Sequence, residues 1–515
     1  MEDSINTSGA NGSSEHPEPS IIVPGEDIVT LSQSQLEHQT RLLQQRLAAT
    51  TDFTQQTIAV ALPNSIELVT VFLAITKQRG IAALLNPSNK ENEFDFYLGD
   101  VNPVMVIVPK GAYEANSDSV RAAKRHGAGI AECYWDGQDV ILEIIVRNVR
   151  TKGDQRATTC IKSLDTDIAL LLHTSGTTGR PKAVPLTHKN LDVSAKNVCK
   201  GYNLKVDDRT MLLTPLFHVA GLLACLATLK SRGAVILPPR YSPKSFWQDL
   251  TEHNATWYTT TPTMHRLILQ LPPPGVMPPR LRFIRCSSSP LPPAMFRELE
   301  SRFQIPVVDS YGLTETSSFC TSNPLPPGPR LPGSVGIPQG PEVTIRDEAG
   351  APLDAGLEGE ICMRGDNITK GYLNDPDANA RLFTLDGFFR TGDFGYLDSN
   401  HYLFITGRIR EFINKGGEKI SPVELDNTVT QHPAVAEAAT FSMPDDIYGQ
   451  DVGLAVTLRE GEQVERSKLK RWIRDRVSAH KVPAKIFLVQ ELPKTATGKT
   501  QRQLLSQQAA DGRLG

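Results

Sequence analysis

Short, continuous apolar runs separated by amphipathic stretches dominate the first half of the chain. Ile58-Ala59-Val60-Ala61-Leu62, Ile81-Ala82-Ala83-Leu84-Leu85, Val104-Met105-Val106-Ile107-Val108 and Ile168-Ala169-Leu170-Leu171-Leu172 lack the alternation of a half-buried strand. They predict strands covered on both faces. Between them, residues 31–49, 65–79 and 91–100 repeat apolar side chains at helical spacing, with Ile66, Val69, Phe72, Leu73 and Ile75 on the second. The alternation resumes with helices over 188–202 and 219–230 and strands over 210–213, 234–237, 255–259, 281–286 and 307–308. Strand–helix alternation of this kind predicts an α/β fold with mixed, largely parallel sheets and helical crossovers. From residue 324 the pattern changes: a proline- and glycine-rich stretch to 341 predicts a rigid loop. Short β segments follow at 342–346, 359–364, 388–393 and 402–407, a small β region.

Beyond Gly407-Arg408-Ile409-Arg410 a separate α+β pattern begins, with helices over 422–431 and 467–479 and strands over 435–441, 451–458 and 485–489. The chain therefore divides into a disordered tail (1–20), a large N-terminal domain (21–408) and a small, mobile α+β C-terminal domain (409–515). At 515 residues it exceeds a single typical core. A net charge of −3 gives no reason to expect nucleic acid as a partner. The seven cysteines are scattered and form no C-x-x-C pair, which predicts reduced thiols and no zinc site. The longest apolar stretch, 219–229, is too short for a membrane span. With no apolar leader and no C-terminal S-K-L, a cytoplasmic location is expected ahead of a peroxisomal one. The oligomeric state is left open.

Where the run 168–172 ends, the chain breaks into His173-Thr174-Ser175-Gly176-Thr177-Thr178-Gly179-Arg180-Pro181-Lys182. Small hydroxyls, glycines whose N–H groups can turn toward an anion, and one lysine are the parts needed to hold a polyphosphate. The spacing is not that of the G-x-x-x-x-G-K-[ST] loop. Other stretches are ambiguous alone. His218 in Pro215-Leu216-Phe217-His218 could be structural, Tyr311-Gly312-Leu313-Thr314-Glu315 could be a capped helix start, and Thr391-Gly392-Asp393 is a common turn.

Taken in order, these stretches resemble the motifs of the adenylate-forming enzymes, which include acyl-CoA synthetases, luciferases and peptide-synthetase adenylation domains. The resemblance runs from about residue 55 to 505, through the loop above, the His218 segment, Ser287-Ser288-Ser289-Pro290, the Tyr311–Glu315 string, Thr391-Gly392-Asp393 with Arg408, and Leu492-Pro493-Lys494-Thr495-Ala496-Thr497-Gly498-Lys499. Ala183 stands where the family string usually ends in glycine. The resemblance implies ATP, Mg²⁺ and coenzyme A as the small molecules used. ATP and AMP are expected on Thr174, Ser175, Gly176, Thr177, Thr178, Gly179, Lys182, Ser287, Ser288, Ser289, Ser310, Tyr311, Gly312, Thr314, Asp393, Arg408 and Lys499. Within that set Tyr311 is expected to stack on adenine, Asp393 to accept from the ribose hydroxyls, and Glu315 to hold the metal. Lys499, Thr314, Glu315 and His218 are the expected catalytic residues. The acid is expected against His218, Ser288, Ser289, Ser317 and Ser318. The resemblance further implies a hinge at Arg410 about which Lys415-Gly416-Gly417 exchange with the Lys499 loop to admit coenzyme A.

The expected reaction joins a small carboxylic acid to coenzyme A through an acyl-adenylate. Within the family the chain is most similar to the group containing fungal and plant oxalate–CoA ligases, through strings such as I-N-x-G-G-E-K-I-S-P and L-P-K-T-A-T-G-K. It departs from that group at Ala220 and Ser318, where two histidines are replaced. That departure favours a polar, polycarboxylic or medium-chain acid of fungal secondary metabolism, with a downstream acyltransferase or synthetase as partner, over oxalate. Loading of a carrier protein, a nucleotide-binding role without catalysis, and luciferase-like oxidation are the rival expectations.

Overall fold

The computed structural model describes residues 19–25, 27–50, 52–147, 162–174, 181–272, 274–275, 277–495 and 498–514. Helices form where a side chain can close the first turn. Ser32 accepts from Gln35 N–H ahead of the helix Gln33–Ala48, Ser65 from Leu68 N–H ahead of Ile66–Lys77, and Thr187 from Asn190 N–H ahead of His188–Gly201. Each is the N-cap arrangement that satisfies otherwise orphaned helix donors.

Among the described residues two large sheets carry the N-terminal part. One has seven strands in the order Val140–Val146, Gly129–Trp135, Met105–Pro109, Thr57–Val60, Ile81–Leu84, Ile168–Thr174, Lys182–Thr187. Its interior pairs are parallel and both edges antiparallel. The other has nine strands, from the edge strand Ile337–Pro338 through Thr321–Ser322, Val307–Tyr311, Phe283–Cys286, Trp257–Thr260, Arg209–Leu212 and Ala234–Ile236 to Pro19–Val23 and Val29–Ser32. Its central strands, from Pro19–Val23 across to Val307–Tyr311, run parallel. The apolar runs legible in the sequence are the interior strands: Ile81–Leu84 and Phe283–Cys286 are buried at every position. The helices Gln33–Ala48, Ile66–Lys77, His188–Gly201 and Val219–Lys230 share one apolar core with both sheets.

A four-stranded antiparallel sheet (Glu342–Arg346, Gly359–Arg364, Phe389–Leu397, Leu403–Arg408) completes this part. A turn of 3₁₀ helix, Ile409–Glu411, then leads into a five-stranded sheet holding Gly449–Leu458 at its centre, with its own core of Ile413, Leu425, Val452, Leu454, Leu469 and Ile473. The architecture is thus mixed α/β, a large N-terminal part with a smaller α+β part behind it.

Three expectations change. Pro19 and Ser20, assigned to a tail, form an edge-proximal strand with Val23, pairing with Ala234–Ile236; residues 1–18 lie outside the described residues. The segment after the phosphate loop, read as loop, is the strand Lys182–Thr187, antiparallel to Ile168–Thr174. The basic helix ends at Arg474 rather than continuing to Ala479. The six described cysteines are all free thiols, and Cys160 lies outside the described residues. Among the described residues no helix is long and apolar enough to cross a membrane.

Candidate active site

The parallel strands Phe283–Cys286 and Val307–Tyr311 end side by side, with Cys286 opposite Asp309. The residues that follow them, Ser287-Ser288 and Gly312-Leu313-Thr314-Glu315, form one wall of a cleft of about 600 Å³. That is where an open α/β sheet presents its ligand loops. His218, from the segment after Arg209–Leu212, and Thr174 with Lys182, from the hairpin of the other sheet, complete the wall.

Gly312 has a steric reason. A Cβ there would lie 2.1 Å from Ser318 O, because the chain doubles back tightly through Thr314–Thr316 and the left-handed Ser317 and Ser318. Gly221 is similar: a Cβ would sit 2.4 Å from Pro215 O, so the helix Val219–Lys230 can press against the segment that carries His218.

Tyr311, Asp393 and Arg408 form one linked group. The Tyr311 hydroxyl donates to Asp393 Oδ2 at 2.6 Å and Arg408 Nε donates to Asp393 Oδ1 at 2.6 Å. Asp393 and Arg408 face each other across the antiparallel pair Phe389–Leu397/Leu403–Arg408. The nearby Asp393 carboxylate raises Arg408, and burial pushes the Tyr311 phenol well up, so Asp393 joins a cation and a neutral hydroxyl. Asp393 turns toward an adjoining pocket, shared with Ser289, Tyr311 and Arg408, rather than toward the cleft lined by Thr391 and Gly392.

At the opposite end Lys182 Nζ lies 3.2 Å from Asp375 Oδ2 and 4.7 Å from the centre of the Tyr372 ring. The Tyr372 hydroxyl donates to Glu315 Oε1 at 2.8 Å. Burial raises the Glu315 carboxyl above the usual range, the condition of an acid that gains from an incoming cation. Among the described residues no cluster of three or more His, Cys, Asp or Glu is placed to hold a metal. One buried carboxylate and no cage fits Mg²⁺ held mainly by water and substrate phosphates. The expected loop residues Ser175, Gly176, Thr177, Thr178 and Gly179 lie outside the described residues. Ala183 is buried in the strand opposite His173, so the position that departs from the family string belongs to a strand.

His218, Ala220 and Ser318 line the cleft between these ends. Burial pushes His218 down to about 4, and its Nε2 has no partner among the described residues. The expected hydroxyls separate. Ser287 Oγ is buried and unpartnered at the lining. Ser288 lines both pockets and Ser289 only the adjoining one. Ser310 donates to Cys286 O at 3.0 Å, so its hydroxyl is committed to the neighbouring strand. Ser317 is not brought to the cleft: it is fully buried and donates to Asn367 O at 2.8 Å, while its own carbonyl accepts from Ser194.

Lys499 enters the cleft from the C-terminal part, beside Arg408 and Arg410. Burial pushes its ammonium below the usual lysine range, with the Arg408 charge adding to the effect. Its segment is held by Thr263, whose hydroxyl donates to Gly498 O at 3.0 Å. Glu437 sits between Arg266, 3.4 Å away, and Lys494, 2.8 Å away, tying the two parts of the chain together. Lys415, Gly416 and Gly417 are elsewhere, on the hairpin Ile413–Lys415/Glu418–Ile420, with Lys415 Nζ 2.5 Å from Asp451. Both glycines there have positive φ. Tyr372, Asp375, Arg381 and Arg390 also border the site and escaped the sequence reading. Tyr372 and Asp375 lie in an irregular stretch far along the chain from Glu315 and Lys182, with no local pattern to mark them.

Residues 12–373 match the AMP-binding enzyme family and residues 424–499 match the AMP-binding enzyme C-terminal domain. The chain is 40% identical over 476 residues to oxalate–CoA ligase of Saccharomyces cerevisiae, covering 88% of this chain and 87% of that one. It is 36% identical over 538 residues to an acyl-CoA synthetase of Gibberella moniliformis, covering 96% of each. The structure of ATP-bound MatB from Rhodopseudomonas palustris superposes with a TM-score of 0.87 at 27% identity, over 97% of this chain and 98% of that one.

Proposed function

This chain belongs to the AMP-binding enzyme family and is an AMP-forming acid–CoA ligase, and from that premise we propose which residues act and on what acid. The single observation that carries the assignment is the convergence of Lys182, Glu315, Arg408 and Lys499 on one cleft from four separate parts of the fold. The substrates are ATP, a carboxylic acid and coenzyme A.

The acid carboxylate attacks the α-phosphorus of ATP, giving an acyl-adenylate and pyrophosphate. The nucleophile is already ionised near neutral pH, so no general base is needed. The work left to the protein is to align two anions and stabilise charge on phosphate oxygens. Lys182 holds the departing phosphates, and Arg408 and Asp393 hold the nucleoside side. Lys499 bridges the reacting carboxylate and phosphate, its burial removing competing water from the ammonium. Glu315, set by Tyr372, would hold Mg²⁺, which would supply further charge neutralisation on the phosphates. The thiol of coenzyme A then displaces AMP to give acyl-CoA. Lys499 lines this same cleft, where the thiol would have to approach. The hinge at Arg410 therefore serves to exchange it for the Lys415-Gly416-Gly417 face.

The acid is polar or polycarboxylic. His218, Ser287 and Ser318 supply uncharged polar groups in the wall where the acyl chain would lie. Oxalate is the second reading, favoured by the 40% identity to a relative of that name.

The test uses half-reactions. Lys499→Ala should lower acid-dependent ATP–pyrophosphate exchange by about 10²–10³-fold. The same variant should keep most of the conversion of supplied acyl-AMP to acyl-CoA. Equal loss of both half-reactions would remove Lys499 from the adenylation step. Product formation only with a carrier protein, and not with free coenzyme A, would replace the acceptor.

A further inference from the structure

The stretch from Thr369 to Asn379 is bonded to the two backbones that carry Glu315 and Lys182. Thr369 N–H donates to Glu315 O at 2.8 Å. The Thr369 hydroxyl donates to Pro185 O at 2.7 Å, and Leu373 N–H donates to Ala183 O at 2.9 Å, next to Lys182. Tyr372 lies between these anchors and is bracketed by one amide. Its N–H donates to Asn379 Oδ1 at 2.7 Å and its carbonyl accepts from Asn379 Nδ2 at 2.8 Å. The backbone of Tyr372 is thus fixed on both sides with no ligand present.

Two side chains from different sheets meet on that residue. Lys182 comes from the edge of the seven-stranded sheet, and Glu315 follows a strand of the nine-stranded one. The Tyr372 hydroxyl donates to Glu315 Oε1 at 2.8 Å, and Lys182 Nζ stands 4.7 Å from the ring centre. All three residues line the cleft. The hydrogen bond occupies Oε1 and leaves Oε2 as the oxygen a cation would take. The ring face attracts the ammonium without neutralising it, since a phenol is uncharged at neutral pH. Asp375 competes with an arriving phosphate for Lys182; the ring does not, and can keep its contact while phosphate displaces the carboxylate.

We propose that Tyr372 is a positioning residue shared by both ends of the phosphate site. Its hydroxyl orients the carboxylate toward Mg²⁺, and its ring face orients the lysine toward the phosphates. This rests on the reading that ATP and Mg²⁺ are bound in this cleft.

The experiment is equilibrium binding of ATP to the full-length enzyme by calorimetry, with no acid present, once in EDTA and once in saturating Mg²⁺. It compares the wild type with Tyr372→Phe, which keeps the ring, and Tyr372→Leu, which keeps only apolar bulk. Tyr372→Phe should reduce the gain in ATP affinity conferred by Mg²⁺ by about tenfold and leave affinity in EDTA within about twofold of the wild type. Tyr372→Leu should lose the same gain and also weaken ATP in EDTA by about three- to tenfold. In pyrophosphate exchange, KM for ATP in Tyr372→Phe should rise at limiting Mg²⁺ and recover as Mg²⁺ is raised. A wild-type Mg²⁺ gain in Tyr372→Phe overturns the proposal. Equal affinity of the two variants in EDTA overturns it as well, because the ring face then orients nothing. Equal weakening by both variants with and without Mg²⁺, alongside a lowered melting temperature, would mark a merely structural tyrosine and overturn it. A wild type that binds no ATP, or whose ATP affinity Mg²⁺ does not raise, would instead overturn the reading on which it stands.

Discussion

His265 is fully buried and His218 half-buried, and loss of solvent pushes each down to about 4 from an ordinary 6.5. His218 therefore meets the substrate as a neutral ring at neutral pH, a hydrogen-bonding wall and not a counter-ion. The same displacement fixes a sign for stability. Between about pH 4 and 6.5 the unfolded chain binds more protons at these two positions than the folded one, so stability rises with pH across that window. Each histidine contributes a slope of up to about 1.4 kcal/mol per pH unit there. Urea unfolding followed from pH 7 to 4.5 should show the fall, and replacing both histidines by glutamine should flatten it. A curve unchanged by the double replacement would place the acid sensitivity elsewhere.

Among the described residues the turn from Gly312 to Ser318 supplies five of the residues that line the cleft, Gly312, Leu313, Thr314, Glu315 and Ser318. It packs so closely on itself that a methyl group at Gly312 must displace the Ser318 carbonyl. Gly312→Ala should cost about 2–3 kcal/mol. Because Thr314 and Glu315 ride on this turn, it should raise KM for ATP as well as lower the melting temperature. A variant with the lower melting temperature but unchanged nucleotide affinity would show that the turn is a packing element only. This region also shows what the sequence could and could not convey. Apolar runs such as Ile81–Leu84 announced the interior strands, because burial on both faces leaves no alternation to misread. The strand Lys182–Thr187 was hidden in a loop reading, since Pro185 and the preceding hydroxyl-rich stretch look like turn chemistry. At an antiparallel edge the pleat tolerates them. The motif residues Lys182, Glu315, Arg408 and Lys499 were legible by resemblance. Tyr372 and Asp375 were not, because each meets the site through a contact far away in sequence. Ser317 was wrongly included for the same reason. Which way a hydroxyl turns beside a left-handed residue is settled by tertiary packing against Asn367.

Polar contacts link the two parts of the molecule near Lys499. Glu437, bracketed by Arg266 and Lys494, and the hydrogen bond from Thr263 to Gly498 are two of them. Around the connecting turn Ile409–Glu411, Arg502 links Glu411 at 3.3 Å to Asp426 at 2.8 Å, so the turn is anchored to the C-terminal part. Glu437→Ala removes the shared acid between two cations that are only about one fifth exposed. It should slow pyrophosphate exchange about tenfold while leaving thiolation of supplied acyl-AMP unchanged or faster. Equal slowing of both steps would mean that Glu437 supports folding of the C-terminal part and has no say in its position.

The contact between Lys182 and Asp375 has one more consequence. Asp375 is fixed by Ala378 N–H at the start of the short helix Pro376–Asn379, which holds its carboxyl below the usual range and keeps it ionised. Lys182 is thus never a lone cation in the empty enzyme; it rests on an internal surrogate for a phosphate. A triphosphate, carrying several charges, can outbid that single carboxylate, whereas a monophosphate offers little more than Asp375 already does. On the proposed role of Lys182, the lysine would fall back on Asp375 once pyrophosphate departs and leave the adenylate end of the product to other residues. The pair makes the grip on the nucleotide self-releasing, tight on the charge that must leave and loose on what must stay.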